Sequence, residues 1–255
     1  MNIYRRLTNC VVILSTVFYA AGCSDKDSVS PVAAYSDLPD DAIVFRDQVD
    51  SNVSFDSNLK DLVFLTRDGK SQPLRDYLNE KMVILVMTRG YAGSICPYCS
   101  SQTSRLINNY QKFVDRQAEV VVVYPLEKPE DTPRLDEFLK SIEIRTNIPA
   151  QNTPFPILLD VELKVVDQLG IRASLSRPAT YILDRSGQVR FAYVGQSLAD
   201  RPSVQALLDQ LDQLKSEAQQ TTSDRSDEKR TSSRPLHDAV SEGTTPSRRR
   251  KDARG

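Results

Sequence analysis

A chain of 255 residues has room for one or two domains, and a hydrophobic fraction of 40% is enough for a core. A formal net charge of -1 argues against a generally cationic nucleic-acid binder, and no nucleic-acid partner is expected. There is no Trp and only one His, His237 in a polar stretch, so His-based metal sites and Cys–His or Ser–His catalysis have almost no material.

The N-terminus carries Arg5 and Arg6, then an apolar segment from Val11 to Ala21, then Gly22-Cys23. Basic, apolar and small-residue regions in that order make an export signal. The apolar segment is too short to span a bilayer comfortably. Ala20-Ala21-Gly22-Cys23 resembles the lipobox of bacterial lipoproteins, with Ala20 where Leu is usual. That resemblance implies a signal peptide over 1–22, lipidation at Cys23 and a mature chain that starts there. The expected location is the cell envelope: lipid-anchored to a membrane, attached rather than spanning, and facing out of the cytosol (the periplasm in a Gram-negative cell). An ordinary cleaved signal and an uncleaved anchor are the alternatives. Cys96 and Cys99 then remain as free thiols in a compartment where disulfides persist.

Residues 23–57 read as a tether and N-terminal extension: Ser, Asp, Pro and Ala dominate to about Asp40, and Asp41 to Ser57 shows no sustained period. Leu62 to Thr66 reads as a strand, Asp68-Gly69 as a turn, and Pro73 as the opening of a short helix with Leu74, Tyr77 and Leu78 on one side. Met82 to Met87 is a continuous apolar run, as in a central strand covered on both faces. A helix follows Cys99 to near Gln117, with Leu106, Ile107, Tyr110, Phe113 and Val114 on one face. Val120 to Tyr124 is the next buried strand. Thr132-Pro133 reads as a cap with Pro at the first helical position, before a stripe of Leu135, Phe138, Leu139 and Ile142.

Ile157-Leu158-Leu159 is a short strand, and Asp160 caps a helix that stops at Gly170. Thr180 to Leu183 turns through Asp184-Arg185-Ser186-Gly187 into Val189 to Val194, an antiparallel hairpin. Val204, Leu207, Leu208, Leu211 and Leu214 make a final amphipathic helix. From 217 to 255 polar and charged residues dominate, which predicts a disordered tail. The order of elements is one α/β domain over 58–216, a central mixed sheet flanked by helices, with parallel pairs and a late antiparallel hairpin.

Cys96-Pro97-Tyr98-Cys99 falls where the apolar run gives way to a helix. Unpaired backbone N–H groups and the helix dipole favour a thiolate at such a point. A static disulfide is the structural alternative, but so short a loop restrains the unfolded chain little. Two Cys with no second pair and no nearby His cannot complete a four-ligand zinc site, so neither a metal nor any other cofactor is expected.

Here the chain resembles the thioredoxin superfamily, and within it the peroxiredoxin-like branch of alkyl hydroperoxide reductase / thiol-specific antioxidant proteins. The matching pieces are Arg89-Gly90, Cys96-Pro97-Tyr98-Cys99, Gln102, the block from Arg177-Pro178-Ala179 to Ser186-Gly187, Val189 to Tyr193, and Arg201-Pro202. The resemblance implies a thioredoxin-like fold with Pro178 as a cis-proline facing the site and set against Cys96. Cys96 is then expected to be the accessible nucleophile, with a depressed pKa, and Cys99 the more buried thiol that resolves the mixed disulfide. Pro97 removes an N–H that the first helical turn does not use, and Tyr98 is expected to be exposed to a partner. Arg89 is a candidate electrostatic partner of the thiolate, and Arg177 stands next to where peroxiredoxins place an Arg.

The expected activity is an extracytoplasmic thiol–disulfide oxidoreductase working with a thiol reductant or oxidant partner. The alternative is a thiol peroxidase that reduces hydroperoxides. Typical peroxidatic sites carry a Pro and a Thr or Ser upstream of the Cys, where this chain has Arg89 and Gly93. The run Met82 to Met87 holds no acid to take a proton from the resolving Cys. A copper-delivery protein on the same fold is a weaker alternative, since those resemble CxxxC with a distant His. A binding module with a vestigial disulfide is a further one.

Overall fold

The computed structural model describes residues 43–54, 58–78 and 80–232. The export signal, Cys23, most of the tether and the end of the tail with His237 lie outside the described residues. Strands are β1 Val63–Leu65, β2 Ser71–Pro73, β3 Met82–Met87, β4 Ala118–Leu126, β5 Ile157–Val161, β6 Ala179–Leu183 and β7 Val189–Val194. Helices are α1 Arg75–Leu78, α2 Pro97–Asn108, α3 Tyr110–Val114, α4 Arg134–Thr146, α5 Lys164–Gln168 and α6 Val204–Ser232. The strands form one sheet in the order β2-β1-β5-β4-β3-β6-β7. β3 runs parallel to β4 and β4 to β5, and the other pairs are antiparallel.

β3 and β4 are apolar on both faces because both faces are covered. Ile84, Val86, Val120, Val122 and Tyr124 meet Leu106, Ile107, Phe113, Phe138 and Leu211 from the helices on one side. Val83, Leu85, Met87, Val121 and Val123 meet Phe64, Leu74, Leu78, Val165 and Val166 on the other. Register then sets where the loops gather. Met87 pairs with Val123 and Ala179, and Ala179 with Val194. The chain after β3, the chain before β6 and the chain after β7 therefore emerge at one end of the sheet.

Several boundaries differ from the sequence reading. Pro73 ends β2 instead of opening a helix, because β2 pairs back on β1 through the Asp68-Gly69 turn, where Gly69 has φ +76°. The helix after Cys99 breaks at Asn109, whose side chain donates to the Arg105 carbonyl at 2.9 Å and so competes with the backbone ladder. Thr132 does not cap α4: its hydroxyl donates to the Pro129 carbonyl at 2.7 Å, within a short 3₁₀ turn. Asp160 does cap, its buried carboxylate accepting from the Val165 and Val166 N–H groups at 3.0 and 2.8 Å. α6 runs through Ser232, past the expected end near 216, since no Gly or Pro interrupts 204–232.

The unassigned stretch before the domain is an ordered strap over 43–54. Ile43 and Phe45 are buried, and the Arg105 guanidinium donates to the Ile43 carbonyl and lies over the Phe45 ring. Arg46 bridges to Pro202, its N–H donating to the Arg201 carbonyl and its carbonyl accepting from Ser203. Among the described residues no helix is long and apolar enough to cross a membrane.

Candidate active site

Beyond Met87, Thr88 ties the chain to β4 by two bonds to the Val123 carbonyl. Gly90 then passes so close to the end of β4 that a Cβ would lie 2.1 Å from the Pro125 carbonyl oxygen. Its φ of +83° is also a left-handed conformation that suits glycine. The loop from Tyr91 to Ser94 leads to Cys96, which occupies the N-cap position of α2 with Pro97 after it. The N–H groups of Cys99 and Ser100 both donate to the Cys96 carbonyl at 3.1 Å. That turn sets the two residues at the start of one helix, and both are buried free thiols, each close enough to perturb the other's ionisation.

Both thiols are buried, Cys96 at 1% exposure and Cys99 at 0%. The expected contrast between an accessible Cys96 and a buried Cys99 is therefore absent. Tyr98 is half-buried against the helical core instead of exposed.

The charge distribution is the reverse of the expectation. The hydrogen bond to Cys99, reinforced by burial, pushes the Cys96 thiol up. Burial alone would push Cys99 up too, but the hydrogen bond from Cys96, the Arg201 guanidinium and the Arg89 N–H outweigh it and hold Cys99 below the ordinary thiol value. The pair shares its first negative charge, and the donors gather around Cys99 Sγ.

Those donors correct the candidate cations. Arg89 reaches the site through its backbone N–H, 3.4 Å from Cys99 Sγ. Arg177 is exposed, its N–H bonded to the Ile171 carbonyl. The cation at the sulfur is Arg201, which is buried, with Nη2 3.2 Å from Cys99 Sγ. Its Nη1 donates to Gln102 Oε1 at 2.6 Å and its Nε to the Leu198 carbonyl at 2.7 Å. Gln102 lies one turn beyond Cys99 on α2, and Arg201 follows β7 at the same end of the sheet. Both stood in the matching blocks of the sequence, and neither was singled out there as a site residue. A basic residue beside a proline, far along the chain, gives no local sign that it will be buried.

Pro178 also departs from expectation. Among the described residues there is no cis peptide bond, so Arg177–Pro178 is trans, the isomer X–Pro bonds favour. The Pro178 carbonyl accepts from the Gly195 N–H at 2.8 Å, and a Cβ on Gly195 would lie 3.0 Å from the Pro178 ring. Pro178 thus braces the loop that carries Arg201. That loop is closed by Asp200, whose carboxylate accepts from the Gln196 N–H and the Tyr193 hydroxyl and pairs with Arg46 of the strap.

The AhpC/TSA family model matches residues 55–192. No protein with a curated description matches the chain. Among solved structures, a cysteine mutant of peroxiredoxin 6 from Arenicola marina is 14% identical, with a TM-score of 0.53 over 66% of this chain and 76% of that one. A yeast mitochondrial 1-Cys peroxiredoxin is 15% identical, with a TM-score of 0.54 over 66% of this chain and 78% of that one. At such identities the likeness is one of fold: a mixed sheet flanked by helices, as in the thioredoxin-like peroxiredoxins. The family match covers more than half of the sequence and includes both thiols. The chain belongs to the AhpC/TSA family and is an oxidoreductase acting on thiols or peroxides.

Proposed function

We propose that the protein is a thiol–disulfide oxidoreductase that cycles Cys96 and Cys99 between dithiol and disulfide. The observation that carries this reading is the pair itself: two free thiols one turn apart at the start of α2, with a buried guanidinium on one of them. A resolving thiol within reach lets a mixed disulfide collapse within one chain. The substrate is a disulfide, and a thiol reductant or oxidant partner resets the pair. Peroxide reduction is the second reading, favoured by family membership and by a cation held against a thiol sulfur. Against it, Arg89 and Gly93 stand where typical peroxidatic sites carry their Pro and Thr or Ser.

We further propose that the protein works outside the cytosol, tethered by a lipid on Cys23. The support is the order of Arg5-Arg6, the apolar segment and Ala20-Ala21-Gly22-Cys23. Labelled-palmitate incorporation that is lost in Cys23→Ser tests the anchor, and incorporation that persists in the variant would refute it.

Disulfide reduction and hydroperoxide consumption, measured side by side with one electron donor, separate the two activities. The oxidoreductase reading expects disulfide reduction that falls to background in both Cys96→Ser and Cys99→Ser. Hydroperoxide loss that survives removal of one thiol would favour the peroxidase. Absence of both activities, with a pair that does not reoxidise after reduction, would sink the enzyme mechanism.

A further inference from the structure

Arg201 is a buried cation whose partners are two neutral oxygens and a sulfur: the Leu198 carbonyl, Gln102 Oε1 and Cys99 Sγ. No carboxylate is among them. Taking a guanidinium out of water without a counter-anion is costly, so such groups are found paired. The one partner able to become an anion is Cys99. The only buried carboxylate among the described residues, Asp160, is occupied in capping α5. The titratable and charged groups that face Cys99 are Cys96 beside it, Tyr124 from β4, and Arg201.

We propose that Arg201 is a further catalytic residue, which holds Cys99 as the thiolate of the pair and so readies it for the second attack. The inference deepens the oxidoreductase reading and rests on it for the chemistry. In the reduced pair Cys96 carries the proton and Cys99 the charge. Cys96 passes its proton to Cys99 and attacks the substrate disulfide. A Cys96–substrate disulfide forms, and the first substrate sulfur leaves as a thiolate. Cys99, beside the guanidinium, gives that proton to the departing thiolate, so no buried base is needed. Its thiolate then attacks Cys96 Sγ, the Cys96–Cys99 bond forms, and the second substrate sulfur leaves. The protein loses two electrons, the substrate disulfide gains them, and of the two leaving thiolates the first is protonated by Cys99 and the second by water. Gln102 and the Leu198 carbonyl fix the guanidinium plane, so the charge stays on the sulfur side.

The test is a titration of the lone Cys99 in Cys96→Ser, read from thiolate absorbance in the ultraviolet and from the Cβ shift of ¹³C-labelled cysteine. Arg201→Met should raise the midpoint by about one to three pH units, the usual effect of removing an adjacent opposite charge. Arg201→Lys should recover part of that change. With both cysteines present, an aromatic disulfide releases one chromophoric thiol per attack. The second release should slow in Arg201→Met below the midpoint, by about threefold per unit of rise. The thiolate fraction falls tenfold per unit while nucleophilicity recovers about threefold.

A midpoint that does not move in folded Arg201→Met overturns the proposal. Should that variant not fold, Arg201→Gln, which removes the charge but keeps a polar side chain of similar reach, takes its place, and an unmoved midpoint there overturns the proposal equally. The titration uses no substrate. A shifted midpoint with an inactive pair would remove the oxidoreductase reading alone, and an active pair with an unmoved midpoint would remove the role of Arg201 alone.

Discussion

Gly90 shows how a single residue sets the site. With φ at +83° and the Pro125 carbonyl oxygen 2.1 Å from any added Cβ, alanine would meet both a left-handed backbone and a steric overlap with main chain. Gly90→Ala should cost about 2–4 kcal/mol. Urea unfolding would show a lower midpoint at unchanged slope. A midpoint within experimental error of the parent would mean that the loop re-routes freely. The same variant should disturb the thiols, because the Arg89 N–H next to it is a donor to Cys99. At this scale the sequence was informative about the pair, which stands in a recognisable local pattern. It pointed to Arg89 and Arg177 as the cations and passed over Arg201, the one that meets Cys99 Sγ. Arg89, Arg177 and Arg201 look alike in one dimension, and only burial distinguishes them.

Among the elements, α5 depends on a cap supplied from β5. Burial raises the Asp160 carboxyl above its ordinary value, against the lowering effect of the Val165 and Val166 N–H bonds. With the folded pKa raised, the linked stability is complete below the unfolded value of about 3.9 and is lost as pH rises through the folded pKa. Asp160→Asn keeps one acceptor and cannot ionise. Its stability should therefore stay flat from about pH 4 upward where that of the parent declines, apart from an offset of about 1 kcal/mol for the lost cap bond. Denaturation midpoints across that range give the comparison, and parallel curves would count against the assignment. α4 is held to the sheet by a different device. Phe138 stacks on Tyr124 of β4 with ring centroids 4.5 Å apart and planes 14° from parallel, and it is fully buried. Phe138→Ala should cost about 3–5 kcal/mol. Calorimetry showing only a small loss would mean that neighbouring side chains fill the space. Hydrophobic period identified α4 and α6 from the sequence. It missed the Asn109 break and the hairpin of β1 and β2, because these turn on local backbone hydrogen bonds that leave the apolar pattern unchanged.

Across the whole molecule, the strap over 43–54 joins two tasks. Asn52 lies along β7, its side-chain amide donating to the Val194 carbonyl and accepting from the Val194 N–H, while its own N–H donates to Ala192. Ser51 accepts from the Ala192 N–H. Strand β7 is the last in the sheet, so these bonds cover backbone groups that would otherwise form an open edge. The strap also pins the Arg201 loop through Arg46, Pro202 and Asp200. A chain begun after 54 should show self-association by size exclusion and light scattering, together with slower disulfide reduction. A monomeric truncation with full activity would show that β7 and the loop need no cover.

The alternation of strands and helices, the two-faced apolar character of β3 and β4, and the position of the thiols at the start of α2 were all legible in the amino-acid order. Each depends on residues close together in the chain, through propensity, period or spacing. The tertiary structure decided the rest. Sheet register brought the ends of β3 and β7 and the start of β6 to one edge, and so placed Arg201 and Gln102 on Cys99. It buried Cys96 as deeply as its neighbour, and it set Pro178 in the trans form behind the Arg201 loop. The physical reason is that electrostatics at a buried sulfur depends on distances of a few ångströms between segments about a hundred residues apart. No local pattern encodes those distances. The Cys96-Pro97-Tyr98-Cys99 motif marked the thiol pair, and the packing of a distant loop determined which of its two sulfurs meets the guanidinium.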